Sequence, residues 1–174
     1  MSGFLSVLFA VALLASQPLA LEVDRTVETL TLRFELLAPL PESVETALTS
    51  SAEARIQFPF RVYARRRLWW DNRILKGVAE TSATFDAVTG RYLCQLRVRK
   101  ETILSREFGS LENARRWLTA PPSINLPLLP ARAGATLRVR VRAVFASGTT
   151  WLIFPTTDGT GWVEARLEAT QDEE

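Results

Sequence analysis

Residues 55–98 decide the fold, and they read RIQFPFRVYARRRLWWDNRILKGVAETSATFDAVTGRYLCQLRV. In the first third of this stretch apolar and polar residues alternate, a period of two that is typical of a β-strand with one buried face. The alternation predicts that five residues point into the core: Ile56, Phe58, Phe60, Val62 and Ala64. The turns that follow then determine which residues become cross-strand partners.

The first turn is predicted at Asp71 and Asn72, because both residue types tolerate the positive φ angles that two-residue hairpin turns require. This turn places Phe58 opposite Phe85 on the returning strand. Pro59 has no N–H to donate to a neighbouring strand, so its position predicts either an edge strand or a β-bulge.

The second turn is predicted over residues 87–90, with Gly90 in the left-handed conformation. It places Phe85 opposite Tyr92 and Ala83 opposite Cys94. The two turns are chosen independently, and they give one consistent inner face. We therefore expect Cys94 to lie in the core, where a free thiol behaves as an inert apolar group.

The remaining segments add strands and two short helices. Residues 29–36 alternate in the same way, and residues 135–147 are predicted as one further strand. A short helix is expected with Pro41 in its first turn, and a second helix is expected with Ser110 as its N-cap. The prediction is a mainly β fold, an antiparallel β-sheet or sandwich with two short helices.

The N-terminal region predicts export. An apolar run from Phe4 to Ala15 is interrupted only by Ser6, and its length suits the apolar part of a signal peptide better than a membrane span. Residues 1–20 are therefore interpreted as a signal peptide or an N-terminal anchor, with a buried strand or helix as the alternative. Possible cleavage points follow Ala15, Ser16 and Ala20.

The domain plan that follows from these segments is simple. A chain of 174 residues is long enough for one core without disulfides or metals. We expect a single β-rich domain over residues 21–169 and an acidic tail over residues 170–174. The expected location is the periplasm, or the outer side of the inner membrane.

The composition excludes several kinds of chemistry. The chain contains no histidine and one cysteine. Histidine acid–base catalysis, Ser-His and Cys-His nucleophile pairs, the usual zinc sites and an internal disulfide are therefore excluded. No cofactor and no metal is expected. The remaining catalytic candidates are carboxylates, because a pair of carboxylates can catalyse glycoside hydrolysis. They are Asp71, Glu80, Asp86, Glu107 and Asp158. Turn chemistry already explains Asp71, Asp86 and Asp158, so an enzyme is not expected.

Positive charge is concentrated in the middle of the chain. Residues 55–142 contain 18 basic and 6 acidic residues, whereas the flanks contain 3 basic and 13 acidic residues. Such a layout steers an anionic partner toward the middle of the chain, although a solvated face of arginines is the simpler alternative. Nucleic acid is not expected as a partner of an exported chain.

The predicted hairpin tip and the outward arginines of the sheet are the candidate binding residues. Exposed arginine stacked on tryptophan stabilises such a tip by roughly 0.5–1 kcal/mol. The candidates are Tyr63, Arg65, Arg67, Trp69, Trp70 and Asp71 at the hairpin, and Arg97, Arg99, Arg138, Arg140 and Arg142 on the sheet, with Arg61 on the same outward face.

Four segments carry a family resemblance: VYARRRLWWD, FDAVTGRYLC, SLENARRWL and LRVRVRAVF, in this order. Over residues 30–169 the chain resembles a bacterial family of exported proteins known as a domain of unknown function (number 4390). The resemblance implies an envelope-associated domain without catalytic residues, and a membrane sensor kinase as a partner.

The sequence therefore predicts an exported, non-catalytic binding or adaptor module of the bacterial cell envelope. It would contact an envelope or membrane protein through the hairpin tip and the arginine-rich sheet face. One alternative is a surface that binds anionic lipid or glycan, and another is a carboxylate-dependent hydrolase.

Overall fold

The structure is a computed structural model, and it describes residues 10–11, 17–26, 28–65, 72–128, 135–147 and 159–168. For residues 10–11 and 146–147 it describes the backbone alone. These ranges contain the strands β1 (Ala10–Val11), β2 (Leu19–Arg25), β3 (Thr29–Leu36), β4 (Glu53–Ala64), β5 (Asn72–Asp86), β6 (Arg91–Val98), β7 (Glu101–Phe108), β8 (Ile124–Pro127), β9 (Leu137–Val141), β10 (Val144–Ser147) and β11 (Val163–Leu167), and the helices α1 (Glu42–Thr49) and α2 (Leu111–Thr119).

The strands form two antiparallel sheets. The larger sheet has seven strands in the order β11-β9-β4-β5-β6-β7, with β10 pairing with β4 next to β9. The smaller sheet has the order β1-β2-β3-β8. The predicted fold class, mainly β with two short helices, is confirmed.

The core lies between the inner face of the larger sheet and the elements that cover it. The rings of Phe34 on β3 and Phe58 on β4 lie 4.5 Å apart, so the smaller sheet packs against the centre of the larger one. The buried Thr81 on β5 donates to the carbonyl of Leu118 at 3.0 Å, which ties α2 to the same face. Ser110 accepts from the Asn113 N–H and begins α2, as predicted.

The predicted inner faces of β4, β5 and β6 are confirmed. All five inward residues predicted on β4 are buried, and Cys94 is buried as well. The β5–β6 register is as predicted, with Phe85 opposite Tyr92 and Ala83 opposite Cys94. Gly90 has a φ of 67°, which is the left-handed conformation expected for this turn.

The predicted register of β4 and β5 is wrong. Phe58 lies opposite Ala79 and not opposite Phe85, a shift of six residues. Asn72 pairs with Ala64 as part of β5, so the turn is not at Asp71 and Asn72. The shift is an even number of residues, and for this reason the inner face stays the same.

Pro59 lies in a central strand, which corrects the prediction of an edge strand or a bulge at this residue. Its carbonyl accepts from the Arg142 N–H at 3.3 Å, but it has no N–H to return. Opposite Pro59 the predicted single strand over residues 135–147 divides into β9 and β10. The register shift in β4 lies between Val62 and Tyr63.

The N-terminal part of the domain begins before residue 21. Leu19 and Ala20 belong to β2, and the side chain of Leu19 is fully buried. Ala10 and Val11 pair with Val23 and Glu22. Among the described residues, no helix is long and apolar enough to cross a membrane.

Candidate functional site

The outer face of the larger sheet collects the predicted arginines of β4 and β9. Arg61 lies directly opposite Arg140, and Tyr63 lies directly opposite Arg138. Cross-strand partners share one face of a sheet, so these four side chains point away from the core. The pairing of β4 with β9 thus brings arginines of both strands to one face of the sheet.

The indole of Trp162 is the centre of this basic face. The guanidinium carbons of Arg61, Arg142 and Arg140 lie 4.7, 5.1 and 5.3 Å from the centroid of its ring. Each distance is within the range of a cation–π interaction, which contributes about 0.5–2 kcal/mol according to its exposure. We call these four residues the Trp162 cluster.

One carboxylate lies beside the cluster. Glu164 on β11 is opposite Arg140, and its oxygens lie 3.8 Å from the Nε atoms of Arg138 and Arg140 and 3.1 Å from the Nε of Arg166. Among the described residues, no carboxylate lies within ion-pair distance of Arg61 or Arg142. The cluster therefore has more positive charge than Glu164 compensates.

The buried parts of two arginines are also incompletely satisfied. The Nε atoms of Arg140 and Arg142 are inaccessible to solvent and have no hydrogen-bond partner among the residues that the structure describes. An unsatisfied buried donor costs about 1–3 kcal/mol. Like charges directly opposite each other, as in Arg61 and Arg140, are destabilising too. These unfavourable contributions offset part of the stabilisation that the cation–π contacts provide.

The segment before β11 positions Trp162. The Ala143 N–H donates to the hydroxyl of Thr160 at 2.9 Å, and the Thr160 N–H donates to the Ala143 carbonyl at 2.9 Å. Gly159 approaches this carbonyl so closely that a Cβ atom would collide with it. The indole is thus fixed at the point where β9 ends, because Gly159 and Thr160 are held against Ala143.

Two predicted residues of the hairpin, Tyr63 and Arg65, follow Arg61 at the end of β4. Tyr63 is half-buried, and the guanidinium of Arg138 lies 5.0 Å from the centroid of its ring. Arg65 is exposed, and its backbone N–H donates to the Thr136 carbonyl at 2.9 Å. The other predicted tip residues, Arg67, Trp69, Trp70 and Asp71, lie outside the described residues.

Arg97 is on the same sheet but belongs to a separate group of charges. Its Nη1 lies 3.7 Å from Glu80, which also lies 3.6 Å from Arg55 and accepts from Gln57 at 2.9 Å. These side chains line a groove of about 550 Å³ that reaches the turn between β6 and β7. The structure thus separates Arg97 from the Trp162 cluster.

Arg99 forms the β6–β7 turn together with Lys100. Both residues have positive φ angles, 51° and 74°. A non-glycine residue in the left-handed region costs roughly 1–2 kcal/mol. Two-residue turns of this kind normally contain Asn-Gly. The sequence Arg99-Lys100 therefore does not indicate a turn, and Lys100 is not among the site residues predicted from the sequence.

The three candidate carboxylates that the structure describes lie at different places. Glu80 is in the middle of β5, and Glu107 on β7 lies 3.5 Å from Arg91. Asp86 begins the β5–β6 turn, where hydrogen bonds from the Thr89 hydroxyl and the Val88 N–H lower the pKa of its carboxyl. Asp71 and Asp158 lie outside the described residues.

Trp162 is the residue that sequence reasoning missed. The pattern WVEARL already places Trp162, Glu164 and Arg166 on one face of the last strand and Val163 on the other. The pattern does not reveal that β11 pairs with β9, and this pairing brings the indole to the arginines of the Trp162 cluster.

A family model described as Domain of unknown function (DUF4390) matches residues 19–149. The chain belongs to the DUF4390 family. The resemblance is confirmed, although the match begins at residue 19 and ends at residue 149 and not at residues 30 and 169. The Trp162 cluster of this DUF4390 protein therefore combines arginines from inside the matched region with an indole from outside it. No curated protein and no solved structure gives a significant match.

Proposed function

We propose that this protein is an exported, non-catalytic binding module of the bacterial cell envelope. In this proposal the Trp162 cluster binds an acidic surface of a protein partner, such as an envelope or membrane protein. A membrane sensor kinase is the candidate that the family resemblance suggests.

One observation carries the proposal: Arg61 and Arg142 lie on the indole of Trp162, and no described carboxylate lies within ion-pair distance of either. Tryptophan and arginine are enriched at the energetic centres of protein interfaces. Acidic groups of a partner would relieve the repulsion between these arginines and accept their terminal N–H groups. Such charge-assisted hydrogen bonds contribute roughly 1.5–3 kcal/mol each.

The experiment compares two variants that lose the same charge. Arg61→Gln with Arg142→Gln removes the two uncompensated charges, whereas Arg33→Gln with Arg166→Gln removes two exposed arginines that have carboxylate partners. Partners are cross-linked in intact cells and quantified by mass spectrometry from the envelope fraction. We expect the first variant to lose the partner and the second to retain it.

Equal recovery with both variants would disprove a role of the cluster. The same proteins are mixed with phosphatidylglycerol vesicles and sedimented in physiological salt. Vesicle binding that depends on Arg61 and Arg142 would show that a lipid surface and not a protein is the ligand.

The hairpin tip is the second part of the proposed binding surface. Tyr63 and Arg65 lead from the basic face of the sheet toward it. Replacing Arg65, Arg67 and Trp69 together is expected to leave the fold intact and to abolish partner recovery. Unchanged recovery by the folded triple variant would limit the binding surface to the sheet.

A further inference from the structure

Within the described part of the chain, strand β5 has an open edge beyond the β6–β7 hairpin. β4 pairs with β5 as far as Asn72, but β6 pairs with it only from Ala79 onward. The Arg99 N–H donates to the Val78 carbonyl at 3.0 Å, and there the hairpin ends. Between Asn72 and Val78, no described strand lies on this side of β5.

The direction of the backbone groups follows from this last hydrogen bond. The Val78 carbonyl points toward β6, and backbone groups alternate in direction along a strand. Leu75 and Gly77 therefore point toward β4, and the N–H and carbonyl of Lys76 point toward the open side. Open edges of this kind accept added strands.

The inner side of the open edge is apolar. A cavity of about 460 Å³ lies there, and its apolar lining consists of Leu30, Val62, Ile74, Leu75, Pro127 and Leu128. Pro127 also lines an adjoining groove of about 250 Å³ next to the β6–β7 turn. Ile74 and Leu75 stay half-buried, whereas Ala79 on the same strand is fully buried.

The outer side of the same edge is cationic. Lys76 is exposed, and the groove of about 550 Å³ beside Gly77 and Val78 is lined by Arg97, Arg99 and Lys100. Arg99 and Lys100, which form the β6–β7 turn, have the left-handed conformation, although an Asn-Gly pair would adopt it without strain. Their cationic side chains are thus held at the end of the open edge.

We propose that the edge of β5 from Asn72 to Val78 binds an extended segment of a partner protein as an added β-strand. Side chains of a strand alternate between its two faces. The added segment therefore has apolar side chains that enter the cavity and acidic side chains that face Lys76, Arg99 and Lys100. This site goes beyond the proposed function, because no residue of the Trp162 cluster takes part in it.

The test uses a phage-displayed library of random heptapeptides as the probe. Two single variants form a matched pair: Lys76→Gln keeps the outward N–H, whereas Lys76→Pro removes it and leaves the pairing with β4 in place. We expect the wild type and Lys76→Gln to enrich peptides with alternating apolar and acidic residues. The affinity of Lys76→Pro for these peptides should be lower by a factor of about ten or more.

A charge-reversed turn keeps the proposal testable if Lys76→Pro does not fold. Arg99→Glu with Lys100→Glu changes only exposed side chains, and we expect it to enrich basic in place of acidic residues. Enriched peptides should also slow hydrogen exchange of the Lys76 amide in the wild-type protein. Absence of enrichment, an unchanged peptide composition, or equal binding to a folded Lys76→Pro variant would overturn the proposal.

Two further measurements distinguish this site from the Trp162 cluster and from self-association. Arg61→Gln with Arg142→Gln should bind the enriched peptides as well as the wild type does, and loss of binding there would assign them to the Trp162 cluster. Self-association that Lys76→Pro abolishes, measured by size-exclusion chromatography with light scattering, would make a second copy of the chain the occupant and contradict a distinct partner.

Discussion

The ring of Phe60 fills the space in which a Cβ atom of Gly77 would lie. The two residues are direct cross-strand partners on β4 and β5. Next to them Phe58 lies opposite Ala79, so each large ring of β4 faces a small residue of β5. This pairing of large with small side chains stabilises the observed β4–β5 register, which differs from the register predicted from a turn at Asp71 and Asn72.

Gly77→Ala is expected to destabilise the protein, because the added methyl group collides with the Phe60 ring. Overpacking of this kind typically lowers the free energy of unfolding by about 1–3 kcal/mol. Urea denaturation followed by circular dichroism measures the change. Gly109→Ala is the control, since nothing lies within 4 Å of a Cβ atom at that position. Equal effects of the two substitutions would contradict the packing argument.

The β6–β7 turn is expected to become more stable when its residues are changed. Arg99→Asn with Lys100→Gly suits the left-handed angles of 51° and 74°, so the free energy of unfolding should rise by about 1–3 kcal/mol. Gly90→Ala, at a φ of 67°, should lower it by about 1–2 kcal/mol. A stabilising effect of both changes, or of neither, would contradict the backbone geometry of these turns.

Cys94 is expected to react slowly in the folded protein. Burial raises the pKa of its thiol from 9.0 to about 11, so little thiolate forms at pH 8. Iodoacetamide should label the protein quickly in urea and slowly without it. Since the unfolded thiol ionises first, the stability contributed by Cys94 is complete below pH 9 and decreases as the pH rises toward 11. The Cys94→Ala variant should lack this part of the pH dependence, and rapid labelling of the folded protein would contradict the buried position.

If the N-terminal segment is removed on export, we expect cleavage after Ala15 or Ser16 and not after Ala20. The Pro18 carbonyl accepts from the N–H groups of Leu37 and Ala38 at 2.9 and 3.0 Å, and Leu19 is fully buried. Cleavage after Ala20 would remove both residues from the domain. The intact mass of the protein from soluble and membrane envelope fractions decides between these sites. A mature protein that begins at Leu21 would contradict the prediction, and a full-length species in the membrane fraction would indicate an anchor.

The sequence predicts which residues are buried better than it predicts which residues are partners. The faces of β4, β5 and β6 follow from a period of two, and this period is a local property of each strand. The β5–β6 register was also predictable, because Gly90 marks a short turn by a conformation that other residues avoid. The β4–β5 register depends on the fit of Phe60 to Gly77, and such a fit exists only once the strands have met.

Only some features of the candidate site were predictable from the sequence. The outward direction of Arg61, Arg138 and Arg140 was predictable from alternation within two strands. The convergence of three arginines on Trp162 was not, because it requires β11 to pair with β9 from a distant part of the chain. The left-handed Arg99 and Lys100 were not predictable either, since their residue types favour other backbone angles.

Pro59 lies opposite Arg142, the residue before the Ala143 that holds the segment of Trp162. The sheet ladder stops opposite this proline, and at that gap Ala143 bonds with Thr160 two residues before Trp162. A substitution that restores an N–H at position 59 would let β9 and β10 join into one continuous strand. If Ala143 shifts when the two strands join, Thr160 and with it Trp162 should shift too, so a substitution in β4 would change the distances between the indole and the arginines two strands away.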